Sequence, residues 1–152
     1  MRRLLIASAF LFFPLAASAD SMARLEAASQ AVQANISAFY VNRIPELDGV
    51  IPNPEWTDEV RTMQTCLLDG LAAKLGETGV EAYVAGMEAF STAKITALSQ
   101  LGKVMPAALT SPEVDELNIS CGIFEYSQRA ADNPKMLEIL SNPENMAKLT
   151  AE

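Results

Sequence analysis

The chain has 152 residues, half of them hydrophobic, with 11 basic and 19 acidic side chains and a net charge of −8 at neutral pH. A surface of that sign repels nucleic-acid phosphates and anionic headgroups, so no nucleic acid is expected as a partner. Histidine is absent from the chain, which rules out Ser-His-Asp and Cys-His nucleophiles and removes the commonest nitrogen ligand for zinc.

The chain opens with Met1-Arg2-Arg3, and an uncharged apolar run follows from Leu4 to Leu15, then Ala17-Ser18-Ala19. A basic start, a short apolar core and small residues at the two peptidase-reading positions predict a signal peptide over 1–19, cleaved before Asp20. The run is shorter than the roughly 20 apolar residues a membrane span needs, and Pro14 interrupts it, so no integral membrane segment is expected after cleavage. No cysteine stands at the end of the apolar run, which excludes lipid attachment at a new N-terminal cysteine there. The setting of Arg2-Arg3 suits the general export route better than the twin-arginine one. Loss of residues 1–19 takes the net charge from −8 to −10, because that stretch carries Arg2 and Arg3 and no acid. The remainder, 20–152, has the size of one domain and is expected to form a single acidic helical unit, periplasmic or secreted.

From Ser21 to Arg43, Met22, Leu25, Val32, Ile36 and Phe39 recur at helical steps, predicting an amphipathic helix. Residues 44–54 hold three prolines and one glycine and are expected to form the longest loop. Asn53-Pro54 reads as the cap and first residue of a second helix. That helix carries Trp56, Val60, Met63, Leu67, Leu71 and Leu75 on its apolar side and stops at Gly76. Thr78 is read as the cap of a third helical segment, in which Val80, Tyr83, Val84, Met87, Phe90, Ile95, Leu98 and Leu101 keep helical spacing as far as Gly102. The pattern does not decide between one helix and two there, and Gly86 inside it is read as a bend or a point of close approach. Ser111-Pro112 repeats the cap signature. Acids follow in the first turn, where the helix dipole favours them, and Val114, Leu117, Cys121 and Phe124 make the expected buried seam. Asn133-Pro134 and Asn142-Pro143 start two short terminal helices, with Met136, Leu137 and Leu140, then Met146 and Leu149, as their apolar residues. No segment alternates as a strand does. The expected fold is all-α: a bundle of four main helices plus short C-terminal ones, with one disulfide.

Two cysteines in an exported chain are expected to pair, so Cys66 and Cys121 are assigned a disulfide. It closes a loop of about 55 residues, for which chain entropy gives about 4 kcal/mol.

Three groups are candidates for chemistry. Glu77, Glu81 and Glu88 return to one stripe of the third segment, where carboxylates could hold a divalent cation or share a proton; the plainer reading is a solvated face. Trp56, the only tryptophan, lies near Val50 and Ile51 and could form an apolar surface for a partner; alternatively the three seal the end of the core. The methionines after the apolar run, Met22, Met63, Met87, Met105, Met136 and Met146, are scattered and read as core filler rather than a copper(I) site. Asn35-Ile36-Ser37 and Asn118-Ile119-Ser120 match a glycosylation pattern but fall within predicted helices. The expected function is non-enzymatic binding of an envelope protein or a small ligand, with no cofactor. The alternatives are a carboxylate enzyme or metal binder using the acidic stripe, and an envelope protein of structural or stress-related role without a discrete site.

Overall fold

The computed structural model describes residues 15–52 and 55–151, with side chains from residue 19. Residues 1–14 of the expected signal peptide lie outside the described residues, as does the expected Asn53-Pro54 helix start, and residues 15–19 form the first turns of a helix. Among the described residues the fold is all-helical, with no strand. The order is α1 (Leu15–Arg43), α2 (Asp58–Ser91), α3 (Leu101–Val104), α4 (Pro112–Ser120), α5 (Ile123–Ala131), α6 (Pro134–Ser141) and α7 (Pro143–Thr150), with single 3₁₀ turns at Pro45–Leu47, Leu98–Gln100 and Ala107–Leu109. The four expected main helices correspond to α1, the two limbs of α2, and α4.

The second helix begins later than the sequence predicts. Thr57 is its cap, its Oγ1 accepting from the Val60 amide, and Asp58 and Glu59 occupy the positively polarised first turn. The expected stop at Gly76 is present as a break: Gly76 has φ 70° and ψ −174° inside an otherwise helical run, a region essentially confined to glycine. Thr78 therefore stands inside the second limb rather than capping it. A straight helix would set Leu67 and Val84 roughly 25 Å apart. With the break, limbs 58–75 and 77–91 both supply one core cluster, in which Leu67, Leu68 and Leu71 join Tyr83 and Val84, with Leu25 of α1 and Val114 and Leu117 of α4.

The third segment is helical only to Ser91, and residues 93–97 have no regular secondary structure. The helical spacing of Ile95, Leu98 and Leu101 is therefore misleading, for two reasons. The Ser91 and Thr92 hydroxyls donate back to the Glu88 and Ala89 carbonyls, a local alternative to helix continuation. The backbone beyond is then held by α1: Asn35 Nδ2 donates to Ala93 O at 2.7 Å and Arg43 Nη2 to Thr96 O at 2.7 Å. Ile95 and Leu98 thereby reach a second cluster, built on Phe39, Ile44, Leu47 and Leu149, at the other end of α1. Gly86 is a point of close approach, since a Cβ there would meet Leu109 Cδ2 at 3.2 Å.

The Ser111 cap is observed, its Oγ accepting from the Val114 amide. The helix ends at Ser120, however, and Gly122 at φ 77° starts α5 in a new direction. Phe124 consequently leaves the predicted seam and is 53% exposed, and Leu75, Leu137 and Met146 are also exposed against expectation. The Cys66–Cys121 disulfide is present, with Cα atoms 5.8 Å apart. Beside it Leu117 packs so closely on Gly70 that an added methyl would overlap it. Asn133 and Asn142 cap α6 and α7 as expected, and each is followed by proline at the first helical position. At the far end Arg43 Nη1 donates to the Lys148 and Ala151 carbonyls, tying the last helix to α1.

Candidate functional site

The acidic stripe is bound up with α1. The Arg24 guanidinium contacts Glu81 through Nη1 and Nη2 at 2.8 and 2.9 Å, and Glu88 through Nε and Nη2, both at 2.8 Å. The two carboxylates, seven residues apart, receive one planar fork between them. Their hydrogen bonds from Arg24 hold both carboxyls below the usual carboxylate range and push the guanidinium higher still. Glu77 is exposed and takes no part in this arrangement. Among the described residues, no group of three or more His, Cys, Asp or Glu side chains could hold a metal ion. The three glutamates are therefore not gathered around a cation site.

The residues near the proline-rich loop have a different environment. Val50 is buried, at 7% exposure, and Ile51 is half-buried against the second cluster. Trp56 packs, half-buried, on the first. The three do not form a surface patch, but two of them line concavities. Ile51 lines a cleft of about 300 Å³ between α1, the loop, α5 and α6, at the lower end of the volumes that hold small ligands. The apolar lining comes from Ile36, Leu47, Ile51, Pro52, Met136 and Leu140, and the polar groups are Gln33, Tyr40, Tyr126 and Ser127. Among the described residues, no charged side chain lines the cleft. Burial pushes the Tyr40 phenol upward, so it stays neutral at physiological pH.

Two hydrogen bonds hold the cleft's walls. Gln33 Nε2, on α1, donates to Pro52 O at 2.9 Å and fixes the loop. Asn133 Oδ1 accepts from the Lys135 and Met136 amides to start α6, while its Nδ2 donates to Val50 O at 3.0 Å. One side chain thus ties α6 to the loop. Trp56 lines an adjoining chamber of about 170 Å³ with Gln64, Ile123 and Glu55, and the two chambers share Gln33, Tyr126 and Ser127.

Of these residues, only Ile51 and Trp56 stand out in the sequence. Gln33, Tyr40, Tyr126 and Met136 come from three helices up to about a hundred residues apart, and no spacing rule marks them as neighbours. Among the described residues no helix is long and apolar enough to cross a membrane. The chain matches no protein-family model, no curated protein and no solved structure.

Proposed function

We propose that this chain is an exported, non-enzymatic binding module that takes a small, mostly apolar ligand into the cleft between α1, the 47–52 loop, α5 and α6. The observation that carries the reading is the lining: apolar side chains with two phenols, an amide and a hydroxyl, and no charged group among the described residues. Such a wall favours burial of an apolar body oriented by a few hydrogen bonds. It offers no acid–base pair near neutrality and so little for proton-transfer catalysis. The existence of a defined cleft also favours binding over a purely structural role. The acidic stripe of α2 adds no second reading, because Glu81 and Glu88 are both engaged by Arg24.

Export is supported by the basic and apolar N-terminal pattern and by the disulfide, a bond that persists in the periplasm or outside the cell. Intact-mass measurement of the exported protein is expected to place its first residue at Asp20; retention of residues 1–19 would count against export by a cleaved signal.

The binding reading is tested with the neutral apolar fluorophore N-phenyl-1-naphthylamine. Saturable, one-to-one binding is expected, lost in Ala130→Phe and in Ala131→Leu, each of which fills the cleft, with melting curves confirming that the variants fold. Absence of binding to the unaltered protein, or undiminished binding to both folded variants, would refute it. A reproducible turnover by the purified protein that one substitution abolishes would refute the non-enzymatic part.

A further inference from the structure

The cleft depends on α5 for one of its walls, through Tyr126, Ser127, Ala130 and Ala131, yet α5 is weakly held. Among the described residues, none of those in α5 is buried. Ile123, at its start, packs half-buried on the first cluster. Further along, Arg129 pairs with Glu59 of α2 at 2.8 Å, but both side chains are mostly exposed, and exposed ion pairs contribute little. Gly122, at φ 77°, gives the helix no side-chain cap. The covalent tie between this end of α5 and α2 is the Cys66–Cys121 bond, immediately before Gly122. Without it, the last buried anchor ahead of α5 is Leu117 in α4. Cys66 is exposed and Cys121 half-buried, so the bond lies at the surface, where disulfides are more readily reduced than in a core.

We propose that the Cys66–Cys121 bond is a redox control on the cleft: oxidised, it holds α5 in place as a wall; reduced, it frees α5 to turn about Gly122, and the ligand is released. This inference rests on the binding reading above and adds its regulation. The reductant is a dithiol. One of its thiolates attacks a sulfur of the bond and forms a mixed disulfide, while the other cysteine leaves as a thiolate. The reductant's second thiol then closes on the mixed disulfide and releases the remaining cysteine. Each cysteine takes up one of the two protons that the reductant's thiols give up. Two electrons pass to the protein, and the reductant ends as its own disulfide. In an oxidising compartment the bond persists, so the binding state is the resting one and release needs the dithiol. Glycine absorbs the change in backbone angles at such a hinge. The far end of α5 stays near the loop through Asn133, whose Nδ2 donates to Val50 O. Redox state and ligand are coupled in both directions: whatever factor reduction takes from the affinity, the ligand adds to the resistance of the bond to reduction.

N-phenyl-1-naphthylamine is titrated into the oxidised protein and into protein reduced with dithiothreitol, well below the melting transition of the reduced form. Affinity is expected to fall about tenfold or more on reduction and to return on reoxidation, with the helical spectrum retained throughout. Hydrogen exchange is expected to quicken in α5 on reduction, with no comparable rise in α2. Equilibration against mixtures of reduced and oxidised dithiothreitol, with and without saturating naphthylamine, reads the reverse coupling. A tenfold difference in affinity lowers the reduction potential of the bond by about 30 mV. All of these measurements use the unaltered chain. Equal affinity in the two forms, a potential that the probe does not move, or unchanged exchange in α5 would each overturn the redox control while leaving the cleft standing. Loss of the helical spectrum on reduction would overturn it too, because the bond would then hold the whole fold rather than one wall. Absence of naphthylamine binding by the oxidised protein would overturn the binding reading and this control with it.

Discussion

Gly76 is the position where a single methyl group tests the architecture most directly. Its φ of 70° and ψ of −174° lie outside the left-handed helical well, in the region essentially reserved for glycine. A Cβ built there has no heavy atom within 4 Å. The cost of Gly76→Ala therefore contains no clash and no cavity, only the conformational penalty, about 1–3 kcal/mol. Gly102 is the internal control. It is exposed, lies within helix α3, and its Cβ would also enter open space, but its φ is not positive. Gly102→Ala should therefore stabilise by about 0.4–1 kcal/mol, through loss of freedom in the unfolded chain. The two variants carry the same chemical change with opposite expected signs. Equilibrium denaturation in guanidinium, followed by far-ultraviolet circular dichroism, measures both, with unchanged m-values as the check that only stability has moved. If Gly76→Ala proved neutral or stabilising, residues 58–91 would run as one straight helix, and the single cluster joining Leu67 to Val84 would have to be given up.

Three further outcomes are expected. Reduction of Cys66–Cys121, whose partners are 55 residues apart, removes about 4 kcal/mol of chain-entropy stabilisation, lowering Tm by roughly 10–15 °C for a domain of this size. The helical spectrum should survive, because Val114 and Leu117 still hold α4 on α2; unchanged melting under reductant would show that the bond contributes nothing. Hydrogen bonds from Arg24 depress both Glu81 and Glu88 below the ordinary value of 4.5, so their contribution is present above that pH and is lost as the pH falls through the lowered folded-state values. Arg24→Gln should thus flatten the fall in Tm below about pH 4.5 while changing little in its slope near neutrality, and parallel curves for the two proteins would contradict the pairing. Asn133→Ala removes both the α6 cap and the bond to Val50 O, at about 1–2 kcal/mol. It should also weaken naphthylamine binding, since it releases the loop from α6; full affinity in a folded Asn133→Ala protein would show that this tie does not shape the cleft.

The sequence determined the local features that short-range chemistry controls. Helical content follows from apolar spacing along α1, α2 and α4. The caps at Ser111, Asn133 and Asn142 follow from a side-chain oxygen placed before proline, and the break at Gly76 from the residue type that tolerates it. The disulfide followed from having two cysteines in a chain with an export signature. Tertiary structure decided whatever depended on distant partners. Residues 93–97 continue the helical spacing yet form no helix, and Asn35 and Arg43 bind the Ala93 and Thr96 carbonyls from α1. Phe124 fits a buried stripe yet faces solvent, because Gly122 turns the chain before it. The acidic stripe becomes an ion pair because Arg24, 57 and 64 residues away in sequence, lies beside it. The cleft belongs to the same class: its walls come from α1, a loop, α5 and α6, and periodicity describes one helix at a time. Which faces meet, and which gap between them is left unfilled, is set by the packing of the whole chain.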